Sequence, residues 1–258
     1  MTAPSHRGAS LELRLRARPV WSSVGLTVLT AAVVGGGSAV LAALAPGLPG
    51  YSTTGPSRSL VLVVVLTALL LALLAALGWW AFAGFTRPSQ WRAMHLYWLP
   101  GALLVVPLLG GVEWPGVAAL LVQLVGYACT GVFEEGLYRG VILGLLRPLG
   151  TWPAVLLSSL LFGLSHLVNL GLRGISVLIV LQVLGATVQG VGLAALRLRT
   201  NTIWPLVVFH SLNDLGLQLG LWPVAAVAAP LDLAMLAFGI VILRKDPDAP
   251  EFEPNLAK

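Results

Sequence analysis

Residues 60–85 read LVLVVVLTALLLALLAALGWWAFAGF, a run without one ionisable side chain. At ~1.5 Å rise per residue, a helix of this length crosses the ~30 Å hydrocarbon core of a bilayer with residues to spare. Similar apolar runs recur on both sides of it. The chain as a whole is 57% hydrophobic and 10% charged, with a mean hydropathy of +0.91. A soluble domain carries about a quarter charged residues, and burial in a globular core does not explain runs longer than ~18 apolar residues. The fold class is therefore all-α, a polytopic transmembrane helical bundle.

Eight spans are expected, at about 20–45, 60–85, 96–112, 115–146, 152–171, 175–196, 202–220 and 222–243. The first is too long for the apolar region of a signal peptide, and its ALAP ending puts proline where cleavage would be unfavourable, so it reads as a retained span. The chain divides into a polar basic tail at 1–19, three N-terminal spans over 20–112, a core over 113–220, a last span over 221–245 and a polar, proline-rich tail at 246–258. The first tail reads as loosely ordered or interfacial, the last as disordered.

Formal charge is +5. The basic residues lie in short connections and form no nucleic-acid patch. With Arg7, Arg14, Arg16 and Arg18 in the cytoplasm, Arg87/Arg92, Arg147, Arg197/Arg199 and Arg244/Lys245 also fall inside, and Arg58 and Arg173 are left outside. That distribution follows the positive-inside tendency and places both termini in the cytoplasm. The single cysteine, Cys129, excludes an intrachain disulfide. Of four histidines, His6 lies in the tail, His95 follows Arg92 at an interface, and His166 and His210 lie deep in apolar runs.

Against this background the stretch TGVFEEGLYRGVI, residues 130–142, is anomalous. A charged group at the bilayer centre costs a few kcal/mol even on lenient insertion scales, so such groups face the bundle interior, pair, or mark a functional path. Three constellations qualify: Glu134-Glu135-x-x-x-Arg139, Phe162-x-x-x-His166 and His210-x-x-x-Asp214. Each has an i, i+4 pair on one helix face, and Glu135 before Arg139 is the favourable order of acid and base. Neighbouring residues point ~100° apart, so Glu135 pairs with Arg139 as structure and Glu134 faces something else, available to accept a proton.

Depth links the three. Counted from the cytoplasmic end of each span, Glu134 lies ~20 Å from Arg147, His166 ~21 Å from Trp152, His210 ~16 Å from Arg199 and Asp214 ~22 Å from Arg199. Three helices thus bring ionisable groups to within about one turn of the same level, and they could form one pocket. Asp232, ~18 Å from Arg244, also meets the depth criterion, but it has no i, i+3 or i+4 ionisable partner and reads as a structural hydrogen bond. Gln123, Gln182, Gln189 and Asn169 read as interhelical hydrogen-bond donors. The glycines of GVFEEGLYRG allow a bend or close helix approach.

In this order on successive helices, FEEGLYRG, FGLSH and HSLND resemble the CAAX prenyl endopeptidase and bacteriocin-processing (CPBP, abortive-infection) family of intramembrane proteases, over about residues 115–220. The resemblance implies peptide-bond hydrolysis by a water activated within the membrane. It assigns Glu134 as general base, His166 as the group that holds or polarises the water, and His210 with the residue at 214 as stabilisers of the developing oxyanion. Glu135, Arg139 and Phe162 would support the site. Many members carry asparagine where this chain has Asp214; an ionised aspartate would orient His210 or ligate a cation, and Asn213 is an alternative donor.

Two histidines and a carboxylate would make a plausible zinc set. Members of the family are described both with and without a catalytic metal. Here no H-E-x-x-H occurs and the histidines come from different helices, so no cofactor is favoured. The implied partner is a membrane-embedded, prenylated or precursor peptide in the lipid bilayer, with no nucleic acid. Ala/Leu/Gly/Arg-rich composition points to a GC-rich bacterial gene, hence the bacterial plasma membrane. The competing readings are an inert membrane scaffold or immunity-type protein of the same fold and, third, a proton-coupled transporter. Against the transporter, no internal repeat is visible.

Overall fold

A computed structural model describes residues 6–45 and 60–244; Arg58, Lys245 and the C-terminal tail at 246–258 lie outside the described residues. Helices make up the described chain, and the one β-type contact among these residues is an isolated antiparallel bridge between Val112 and Gly220. Helix α1 spans His6–Ala17, α2 Pro19–Leu44, α3 Leu60–Leu77, α4 Trp98–Leu103 and α5 Val117–Glu135. A π-helical segment, Gly136–Ile142, continues α5 into α6, Leu143–Leu146. Then follow α7 Thr151–Ser165, α8 Val168–Arg173, α9 Val177–Thr200, α10 Trp204–Leu219 and α11 Val224–Arg244.

Six helical stretches among the described residues are long and apolar enough to cross a bilayer: Pro19–Leu44, Leu60–Leu77, Val117–Leu149, Thr151–Gly171, Val177–Thr200 and Ala226–Arg244. Two of the eight expected spans are not among these six, and α3, expected over 60–85, already ends at Leu77. The stretch 96–112 holds Pro100, Gly101, Pro107, Gly110 and Gly111, and breaks into α4 and a 3-10 turn at Val106–Leu108. Proline removes a backbone donor and clashes with the preceding turn, which is sufficient cause. Helix α10 has 16 residues, ~24 Å of rise against a ~30 Å core.

The chain is an integral membrane protein by this pattern, and its surface agrees. Trp21, Trp91, Trp98, Trp114, Trp152 and Trp222 are exposed near helix ends or in connections, where amphipathic rings suit the membrane–water interface. Leucines and valines on α2, α3, α5 and α9 are exposed to the lipid. Within the N-terminal stretch expected to be loosely ordered or interfacial, His6–Ala17 form the helix α1. Arg16 pairs with Glu12 at 2.9 Å, and its guanidinium stacks 4.6 Å from the Phe82 ring centroid and 5.4 Å from that of Trp79. Arg197, expected at the interface, is buried instead, donating to Asn201 Oδ1 at 3.0 Å.

The core gathers α3, the loop after it, α5 through α7, α9 and α10. Polar clips hold the helices together. Thr67 Oγ1 donates to the Cys129 carbonyl at 2.9 Å, and Ser211 Oγ to the Tyr127 carbonyl at 3.0 Å, tying α3 and α10 to α5. Gln189 Nε2 donates to Asp232 Oδ1 at 3.1 Å, and Asn169 Nδ2 to Gln182 Oε1 at 3.0 Å. Asp232, Gln189, Asn169 and Gln182 are thus the structural hydrogen-bonding groups expected. Gln123 is buried as well, and its acceptor oxygen Oε1 has no partner.

Close backbone approach completes the frame. A Cβ on Gly131 would lie 2.9 Å from the Val207 carbonyl oxygen, and one on Gly140 would lie 2.8 Å from that of Ala83. Both neighbours are backbone atoms, so neither can swing aside. We expect Gly131→Ala to separate α5 from α10 and to destabilise the protein by about 1–3 kcal/mol. Gly36→Ala, which meets nothing within 4 Å, should be neutral. Thermal unfolding in detergent, followed by circular dichroism, compares the two.

Candidate active site

The site forms where α5 enters its π-helical segment. π-Turns are rare and expose backbone carbonyls that need a partner from elsewhere. Here Ser158 of α7 supplies one, donating to the Tyr138 carbonyl at 2.7 Å. The wide turn carries Arg139 inward, where its guanidinium lies 3.1 Å from Glu135 Oε1 with both side chains fully buried. The other face of the guanidinium stacks on Phe162, 4.0 Å from the ring centroid.

Helix α10 closes this pair from the opposite side. His210 Nδ1 meets Glu135 Oε1 at 2.7 Å. A carboxylate paired with arginine is an acceptor only, so the Nδ1 proton of His210 points to Glu135 and its Nε2 faces away. That second nitrogen lies 3.4 Å from Glu134 Oε2 and 3.6 Å from Asp214 Oδ2. Both distances exceed a good hydrogen bond but are short enough for strong electrostatic coupling. Three carboxyl groups therefore surround one guanidinium and one imidazole.

His166 reaches the site from α7 by a different device. The helix ends at Ser165 and His166 is its C-cap, so the side chain leaves a helix end rather than a helix flank. Its Nδ1 lies 3.0 Å from the Phe162 carbonyl, to which it donates, leaving Nε2 as the acceptor of the neutral ring. Phe162 stands between the two histidines, edge-on to His166 at 5.1 Å and to His210 at 6.1 Å between ring centroids. It holds Arg139 and separates the imidazoles at the same time.

A cavity of about 90 Å³ opens beside these groups. Most of the polar lining, Thr130, Glu134, Tyr138, Ser165, His166 and Asn169, comes with Phe133 and Val168 from α5 to α8, whereas α2 and α3 contribute Ala31, Val34, Leu62, Val63 and Leu66 and the single polar side chain of Thr30. Such a space has room for a few waters with polar partners on one side. Glu134 is the link between the cavity and the buried network, since it lines the one and touches His210 of the other.

All eight residues singled out in the sequence converge in this region or border it. Glu134, Glu135, Arg139, Phe162, His166, His210 and Asp214 form the connected set just described. Asn213 is buried on α10, and its Oδ1 has no hydrogen-bond partner. For a metal the arrangement fits poorly. Nδ1 of each histidine faces a protein acceptor, an arrangement that metal-binding histidines also adopt, but among the described residues no three His, Cys, Asp or Glu side chains converge as ligands. Sequence reasoning missed Tyr138 and Ser158. For Tyr138 a signal existed, because it lies four residues after Glu134 and shares its helix face. Ser158 had none, since the π-turn that needs it was not foreseen.

The buried pair generates a stability prediction. Arg139→Ala leaves Glu135 buried without its counter-charge and removes the stack on Phe162, and should cost about 3–5 kcal/mol. The double variant Glu135→Ala/Arg139→Ala should recover part of that loss, read as a partial return of the thermal unfolding midpoint.

Comparison with known proteins was consistent with this geometry. Residues 116–216 match the family described as type II CAAX prenyl endopeptidase Rce1-like, in accord with the resemblance of the three motifs. The match spans α5 to most of α10, the segment that contributes every residue of the ionisable set. No curated protein and no solved structure matches the chain.

Proposed function

We propose that the chain is an intramembrane endopeptidase of the CAAX-protease type, hydrolysing peptide bonds with a water activated by Glu134. The observation that carries this reading is the position of Glu134, whose carboxylate lines a cavity of about 90 Å³ while lying 3.4 Å from His210. A carboxylate so placed takes a proton from water as it attacks the scissile carbon, and later returns it to the leaving nitrogen. His166 accepts a hydrogen bond from the same water through Nε2, fixing its direction of attack. His210, oriented by Glu135 and tuned by Asp214, faces the charge that develops on the carbonyl oxygen.

The roles of Asp214 and Asn213 differ in this scheme. Asp214 lies 3.6 Å from His210 Nε2 and acts on the imidazole. Asn213 packs behind it. No step of this scheme needs a metal. The mostly apolar wall from α2 and α3 offers a bilayer-side approach for a membrane-embedded, prenylated or precursor peptide. Positive-inside bias supports both termini in the cytoplasm, and the Ala/Leu/Gly/Arg-rich composition supports a bacterial plasma membrane.

The test uses the purified full chain in lipid nanodiscs and two quenched-fluorescent peptides, identical except that one carries farnesyl on a cysteine three residues from its C-terminus. Cleavage by the wild type should fall about 10³-fold in Glu134→Gln, in the range expected for loss of a general base, with the unfolding midpoint unchanged. It should survive a zinc chelator. Retained cleavage in Glu134→Gln would remove the base assignment, and loss on chelation restored by zinc would replace the metal-free route. Comparing the two peptides reads out dependence on the lipid.

A further inference from the structure

The proposed reaction needs donors for the oxyanion, and the network around His210 supplies this poorly by itself. Its Nε2 already faces two carboxylates, Glu134 at 3.4 Å and Asp214 at 3.6 Å. A negative charge developing there meets an imidazole whose field is partly spent on fixed neighbours. A neutral donor on the cavity wall would complete the site.

The polar side chains of the wall narrow the choice. Ser165 Oγ donates to the Phe162 carbonyl at 2.6 Å, and Thr130 Oγ1 to the Gly126 carbonyl at 3.0 Å. Asn169 turns its amide to Gln182 at 3.0 Å. Tyr138 differs from these three. Its side chain is 1% exposed, it lines the cavity with Glu134 and His166, and its buried phenol oxygen makes no well-formed hydrogen bond, although the Ser165 and Thr27 hydroxyls are within reach. A buried hydroxyl without a well-formed hydrogen bond is costly in a low-dielectric interior, and a site that donates only during reaction is one place where such a group is kept.

The fold also fixes Tyr138 as a donor must be fixed. Its backbone is held within the π-turn by Ser158, at 2.7 Å from the Tyr138 carbonyl. Its ring packs on Phe162 with centroids 5.1 Å apart. Phe162 in turn orients His166 and Arg139, so the phenol, the water-holding histidine and the buried pair share one aromatic support. Preorganised donors of this kind need no rearrangement when charge appears, which is the source of their catalytic effect.

We propose that Tyr138 is a catalytic residue of the hydrolysis, donating its phenol hydrogen bond to the carbonyl oxygen of the scissile bond as that oxygen becomes negative. No bond to Tyr138 forms or breaks, and the proton stays on the phenol. The inference rests on the hydrolase reading above and adds to it a second donor, on the cavity wall with Glu134 and His166.

The experiment compares wild type, Tyr138→Phe and Glu134→Gln in nanodiscs, using whichever of the two fluorescent peptides the wild type cleaves. Tyr138→Phe keeps the ring on Phe162 and should lower kcat about 100-fold, the scale of losing one oxyanion donor, with KM within about twofold. The same variant should bind a peptide aldehyde, whose hydrate carries the tetrahedral oxygen, about 10-fold or more weakly. It should bind the uncleavable N-methylated peptide as the wild type does. An unchanged kcat and unchanged aldehyde affinity in Tyr138→Phe, with Glu134→Gln inactive, would overturn the role of Tyr138 and leave the hydrolase reading standing. Equal losses for aldehyde and N-methyl peptide would overturn it too, as the mark of a packing residue. Absence of cleavage by folded wild type, with no binding of the aldehyde above that of the N-methyl peptide, would overturn the hydrolase reading and this one together.

Discussion

The buried contact between Glu135 and Arg139 is the interaction on which the rest of the site depends. A guanidinium in the middle of an apolar bundle must recover most of the hydration it gives up, and Glu135 supplies the counter-charge at 3.1 Å. Hydrogen bonding does little of this work. None of the three guanidinium nitrogens has a well-directed partner, and the Phe162 ring takes up one face of the group instead. The pair also has a positional role. Glu135, held by Arg139, is the acceptor that fixes the tautomer and tilt of His210 at 2.7 Å, and through it the approach of α10. Removing either partner would disturb three helices.

From this anchor the polarity falls away in layers. Behind it lie aliphatic side chains of α6, α7 and α9 that no water reaches. In front of it Glu134 and His166 look onto a small polar-walled space, and beyond that onto the valines and leucines of α2 and α3. Charge is thus confined to a narrow zone bounded by low dielectric on both sides, where each electrostatic interaction counts for more than it would in water. The same confinement lets two carboxylates adjacent in sequence take separate tasks, one structural and one facing the cavity.

Much of this was legible in the amino acids. The apolar runs established a polytopic helical bundle, and the i, i+4 spacings correctly put Glu135 with Arg139 on one face. The common depth of Glu134, His166 and His210 anticipated a shared site across α5, α7 and α10. What was not legible depends on backbone departures from the regular helix. Hydrophobic pattern alone made 202–220 and the shorter stretch 96–112 look like further spans, although Pro100 and Pro107 lie where the second breaks up and α10 has 16 residues. It gave no sign that α7 stops at Ser165, which is what frees His166 from the helix flank. Nor could it show α1, because an arginine-rich tail becomes an ordered helix here through the stack of Arg16 on Trp79 and Phe82, residues far off in sequence.

The π-helical segment has a consequence for how this part of the chain tolerates change. An i→i+5 turn holds one more residue than the α-helical turn it replaces. Shortening 136–142 by a single residue would let the ladder relax to ordinary α geometry, with no loss of apolar content. The extra residue is what the wide turn absorbs, so Leu143, Leu145 and Leu146 would keep their places in the core, whereas the side chains within the stretch, Tyr138 and Arg139 among them, would turn by up to ~100° about the helix axis. Substitutions here trade one side chain for another, whereas the loss of one residue re-aims the side chains of the wide turn itself. Through this stretch, the chain is constrained more tightly in its length than in its composition.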